Sequence, residues 1–176
     1  MSYYDTIYEF AADNYGLITS TQAKALNIPG VELVKLSHRG RLTRIWQGVY
    51  RISHYVPTPL DKYAEAVAIV GDGAFIYGES VLAMYGLAFI NPIVLYTATS
   101  KRVRKNLPEY IRVIKSKNIA QTIYHEGIHS QDIISAIIVC KNRIMTNRLL
   151  NAIEESLVQG LITPKDKIYL KEALSV

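Results

Sequence analysis

The sequence has 176 residues, 49% of them hydrophobic and 20% charged, a composition that supports a buried core and excludes a disordered or collagen-like chain. That length suits one sizeable domain, or a domain of roughly 60 residues joined to one of about 120. A formal net charge of +5 permits an anionic partner, and no apolar run approaches the roughly 20 residues that a membrane span requires.

The opening stretch MSYYDTIYEF carries acids and lacks a basic segment followed by an apolar one, so no signal peptide is expected. From Tyr3 to Asn14, Tyr4, Ile7, Tyr8 and Ala11 recur at helical spacing until Tyr15-Gly16 stops the pattern, which predicts a first helix. Thr19, with Gln22 three residues later, forms a capping-box pattern for a helix from Ser20 to Leu26. The same helix start makes Ser20 and Thr21 candidate phosphate contacts, although capping alone explains them. A turn at Pro29-Gly30 leads into a second helix ending at Gly40. Leu33, Leu36 and Ser37 share one of its faces, leaving Lys35, His38 and Arg39 to point elsewhere. Leu42, Ile45, Trp46, Val49, Tyr50 and Ile52 then supply β-prone residues around a turn at Gln47-Gly48, where Gly48 accepts the positive φ of a tight hairpin.

The order is helix, turn, helix, wing. A helix able to lie in the major groove beside a ribbon able to reach phosphates is the arrangement of a winged helix-turn-helix DNA reader. Charge agrees with it: from Tyr15 to Val56 six Lys or Arg face a single acid, Glu32. Arg41, Arg44 and Arg51 decorate the hairpin, and Arg41 and Arg44 are candidate phosphate contacts. His38 has no second His, Cys or acid at ligand spacing. It is therefore read as a solvated surface group or as a base or phosphate contact, not as a metal ligand. Trp46 is expected to pack against the helical core rather than to stack on a base.

Pro57 and Pro59 mark a boundary, giving an expected winged-helix domain over residues 1–56 and a second domain over 57–176. In the second, the spacing predicts a helix from Leu60 to Val70, a strand from Ala74 to Tyr77 and a helix from Glu79 to Tyr85. Strands are expected at Ile93 to Thr99, Tyr110 to Lys115 and Gln121 to His125. Ser130 is expected to cap a helix running through Ile138. A longer helix spans Met145 to Gln159, and Thr163-Pro164 starts the last one. The fold class is α+β: a winged helix-turn-helix, then a mixed α/β domain with a small sheet and C-terminal helices. Between Lys101 and Lys117 seven basic residues face Glu109 alone.

Several chemistries lack their residues. YGESVLAMYG superficially resembles the opening of a nucleotidyltransferase, but the following strand, IVLYTAT, has no carboxylate to hold Mg²⁺. A nuclease needs clustered carboxylates, whereas Glu126 and Asp132 flank a loop. No phosphate-binding P-loop, zinc quartet or nucleophile-elbow spacing occurs, and His125 and His129 straddle Gly127 instead of sharing a helical face. The single cysteine, Cys140, sits in an apolar run as a small hydrophobe and suits a reducing compartment. A cytoplasmic binding protein is expected, without cofactor, metal or catalysis.

The segments YGLITSTQAKALNI, LVKLSHRGRLTRIWQGVYRI and GESVLAMYGL resemble the AbiEi family of type IV, abortive-infection antitoxins, over about residues 5 to 90. The string Gly40, Leu42, Arg44, Gly48, Val49, Tyr50 is its most specific part, and the C-terminal half matches in plan rather than in residues. The resemblance implies a winged helix-turn-helix that binds double-stranded DNA at its own promoter region and represses its operon. It also implies a C-terminal domain that opposes a nucleotidyltransferase-like toxin, and it implies no catalysis. By position, Lys35, His38 and Arg39 would lie on the recognition helix and Arg41, Arg44 and Gln47 on the wing. Ser37 stands where such sequences often have a larger apolar residue. The basic patch Lys101, Arg102, Arg104 and Lys105 is then a solvated loop, an extension of the DNA track, or a surface for the toxin or its nucleic-acid substrate. A different class of reading is a protein interaction module whose winged helix binds another protein.

Overall fold

The computed structural model describes residues 1–117 and 122–176, and the chain folds as two compact units, Met1–Asp72 and Gly73–Val176. The first unit runs α1 (Tyr3–Ala12), β1 (Leu17–Thr19), α2 (Ser20–Ala25), α3 (Gly30–His38), β2 (Leu42–Trp46), β3 (Val49–Ile52) and α4 (Asp61–Val70). Its three strands form an antiparallel sheet in the order β1-β3-β2, with Leu17 opposite Arg51 and Leu42 opposite Ile52. Against that sheet Ile7 and Ala11 of α1, Ala23 of α2 and Leu33 and Leu36 of α3 bury the apolar stripes set by helical spacing, together with Ile18, Ile28, Leu42, Tyr50 and Ile52. This is a winged helix-turn-helix.

The strand β1 comes from only three residues and has no alternating pattern of its own. It exists because β3 offers it a partner. The unit ends at Asp72 instead of Val56, because α4 belongs to it: the Arg51 guanidinium pairs with Glu65, and the Tyr55 hydroxyl donates to Asp61 at 2.7 Å. The prolines at 57 and 59 therefore interrupt the chain within this unit.

The second unit contains β4 (Phe75–Ile76), α5 (Glu79–Met84), β5 (Leu95–Thr99), β6 (Ile111–Lys115), β7 (Thr122–His125), β8 (Ile128–Gln131), α6 (Ile133–Val139), α7 (Thr146–Val158) and α8 (Pro164–Leu174). The five strands form a mixed sheet in the order β6-β5-β4-β8-β7, with β5 and β6 parallel and β4 and β8 parallel. Phe75, Ile76, Leu82, Leu87, Ile137, Leu149, Ile153 and Leu170 are its largest fully buried side chains. Ser130 does not cap α6. It lies within β8, paired to Ile123 and Ile76, while the Asp132 carboxylate accepts from the Ser135 N–H at 2.9 Å and caps the helix. Gln121, where the third expected strand begins, lies outside the described residues. The last helix starts as its sequence predicts, with the Thr163 hydroxyl accepting from the Asp166 N–H and Pro164 in the first turn.

Candidate nucleic-acid interface

The helix-turn-helix is set by local chemistry. The Thr19 hydroxyl accepts from the Gln22 N–H at 3.1 Å and the Gln22 side-chain oxygen accepts from the Thr19 N–H at 2.9 Å, a complete capping box at the start of α2. The Ser20 N–H donates to the carbonyl of Gly48 at 2.9 Å, which ties the wing turn to the same helix start. Two of the first amides of α2 are thus already used. What Ser20 and Thr21 present outward are their side chains, both at exposed positions.

Helix α3 follows a turn in which Asn27 takes a left-handed φ of +58° and Ile28 is buried. Leu33 and Leu36 face the core and Ser37 is half-buried. At about 100° per residue, the direction opposite the two leucines is occupied by Val31 and His38, flanked by Val34 and Lys35. All four are exposed, Val31 by 56% and Val34 by 44%. The two valines are absent from the sequence-based site. Their three-residue spacing on the stripe of His38 was the available signal. The Lys35 ammonium lies 2.8 Å from the Glu32 carboxylate in the first turn, so its charge is shared with an acid.

The hairpin β2-β3 turns at Gln47-Gly48, where Gln47 is exposed and Gly48 has φ +72°. The register shifts between Arg44 and Trp46, a bulge that sharpens the twist of the wing. Arg44 lies opposite Tyr50, as Leu42 lies opposite Ile52, so it leaves β2 on the same face as these buried residues yet is itself exposed. It emerges at the rim of the core. Arg39 is exposed at the C-terminus of α3, and among the described residues neither Arg39 nor Arg44 is in an ion pair. Trp46 is half-buried on the wing.

One of the three hairpin arginines departs from its sequence reading. Arg41 precedes β2 and lies 4.9 Å over the Tyr4 ring of α1, exposed but at the base of the wing. Arg51 does not decorate the hairpin. Its Nε donates to the Tyr15 carbonyl at 3.1 Å, its Nη1 pairs with Glu65, and its plane sits 4.9 Å over the Tyr55 ring. Its Nη2 is buried with no hydrogen-bond partner among the described residues.

In the second unit Lys101, Arg102, Arg104 and Lys105 are all exposed on the connection between the parallel strands β5 and β6. The histidines near Glu126 are engaged. His129 Nδ1 lies 3.0 Å from the Ala74 carbonyl and its Nε2 lies 3.0 Å from the Thr122 hydroxyl. His125 packs on the Tyr85 ring with centroids 3.9 Å apart, and burial holds its pKa below the ordinary value. Among the described residues no group of three or more His, Cys, Asp or Glu is placed to hold a metal ion. The Cys140 thiol is buried, and burial first, then the Glu79 charge, push its pKa up to about 12. No helix of the described residues is long and apolar enough to cross a membrane.

Residues 5–53 match the family model described as "Transcriptional regulator, AbiEi antitoxin". The match begins in the first turn of α1 and ends just past β3, so it covers the helix-turn-helix and its wing and none of residues 54–90. No curated protein matches the chain.

Proposed function

We propose that the chain is a DNA-binding antitoxin that represses its own operon and opposes a nucleotidyltransferase-like toxin. One observation carries the reading. The segment that matches the regulator and antitoxin family is also the segment that presents α3 and a wing with exposed Arg39, Arg44 and Gln47. In this reading the outward side chains of α3 enter the major groove of the promoter region, with His38 at the base edges and Lys35 exchanging Glu32 for DNA. Arg39, Arg41, Arg44, Gln47 and the hydroxyls of Ser20 and Thr21 hold phosphates. The unit at Gly73–Val176 acts against the toxin without catalysis, and its basic patch at Lys101, Arg102, Arg104 and Lys105 faces the toxin or the nucleic acid that the toxin acts on.

The test is binding of the full chain to its own upstream DNA, against scrambled DNA of equal length, at two salt concentrations. Arg39→Ala with Arg44→Ala should weaken binding and lower the salt slope by about 1 for each phosphate that is no longer neutralised. An unchanged slope removes these two arginines from the interface. A wing-neutralised protein that still suppresses toxicity, together with no preference for upstream DNA, favours the protein interaction module instead.

A further inference from the structure

We infer that Val31 and Val34 make α3 a reader of thymine methyl groups, so that the DNA bound by this chain carries A·T pairs where the helix faces the major groove. The inference rests on the DNA-binding reading above and specifies its ligand. Val31 lies at the centre of the outward stripe, and Val34 lies beside it. Both are β-branched and lower the helix propensity of a nine-residue helix. Neither repays that by full burial, Val31 being 56% and Val34 44% exposed.

Their surroundings fit a polyanion rather than an apolar protein face. Arg39 and Arg44 are exposed nearby in the chain without an acidic partner among the described residues, and Lys35 is held aside by Glu32 at 2.8 Å. Gly30 opens the same helix. It lies outside the positive-φ region, and a Cβ there would meet nothing within 4 Å, so neither turn geometry nor packing within the chain requires a glycine. Four residues before Val34, it lies about 40° from that valine around the helix and adds no side chain beside it.

Base-edge chemistry then selects the target. In the major groove every base pair offers hydrogen-bond donors and acceptors, and only A·T also offers an apolar group, the thymine C5 methyl. A valine over G·C leaves those polar edges without water or a partner, whereas over thymine it covers a methyl. Because the valine side chain has one stiff torsion, little entropy is lost when it settles on that methyl.

The experiment selects duplexes from a randomised pool with the full-length chain and then replaces their thymines one at a time with deoxyuridine, which keeps base pairing and removes only the methyl. Wild-type protein should lose affinity about fourfold for each methyl it touches, the factor that about 0.8 kcal/mol per buried methyl implies. The Val31→Ala/Val34→Ala variant should bind thymine and deoxyuridine duplexes equally. Its melting temperature should not fall below wild type, because the valines are largely exposed and alanine favours helix. Wild-type binding that ignores deoxyuridine overturns this inference and leaves the DNA-binding reading standing. Methyl sensitivity that survives in the variant overturns the assignment to these valines. A pool with no enriched duplex overturns both readings and leaves the apolar stripe to a protein partner.

Discussion

The Ser20 N–H and the Gly48 carbonyl are 2.9 Å apart, a hydrogen bond that joins the first residue of α2 to the turn of the wing. The first helix of the helix-turn-helix and the wing are thereby held in one frame, and the wing is not a free ribbon. Gly48 serves this in two ways. Its φ of +72° lies where a side chain is strained, and a Cβ there would stand 3.3 Å from the Ser20 Oγ.

Gly48→Ala should therefore lose about 1–2 kcal/mol of stability in urea unfolding, the ordinary cost of a left-handed non-glycine residue. Adding Ser20→Ala relieves the crowding but not the backbone, so most of the loss should persist. Full recovery in the double variant would show that crowding, not φ, is the reason for glycine.

Arg51 should prove structural. Its side chain is 14% exposed and its partner Glu65 20%, so removing one member leaves a charge with little water. Glu65→Ala should cost about 3 kcal/mol, whereas Arg51→Met with Glu65→Met should recover much of it, since a well-packed apolar pair avoids desolvating two charges. The same double variant should keep the salt slope of DNA binding. A reduced slope would return Arg51 to the interface.

Acid should weaken the first unit through Asp61. Burial acts to raise this carboxyl, but the N–H and hydroxyl of Thr58, at 3.0 and 2.7 Å, and the Tyr55 hydroxyl at 2.7 Å outweigh it, and its pKa falls below the ordinary value. The folded carboxyl then binds its proton less readily than the unfolded one. Its contribution is fully present above the unfolded Asp range of about pH 4, and it is lost as pH falls through the lower folded value. The stability gap between wild type and Asp61→Asn should accordingly be widest near neutral pH and narrow at about pH 3. A gap that stays constant across that range would show that the Asp61 charge contributes nothing.

Much of the first unit could be read along the chain because its signals are local. The Thr19–Gln22 capping box, the Leu33–Leu36 stripe and the positive φ of Gly48 each depend on residues within a few positions of one another, and each is present. In the second unit Thr163-Pro164 is legible for the same reason. Long-range partners are not written in any window of sequence. Nothing local separates Arg51, folded inward onto Tyr15, Tyr55 and Glu65, from Arg44, which stays in solvent on the neighbouring strand. Nor does it show that β1 and β8 exist only where β3, β4 and β7 offer backbone partners, so that Ser130 pairs and Asp132 caps. Helical periodicity tells which residues share a face but not which face docks. Once Leu33 and Leu36 are buried, the valines at 31 and 34 have no core left to enter, and packing alone turns two ordinary apolar residues into the outer surface of α3.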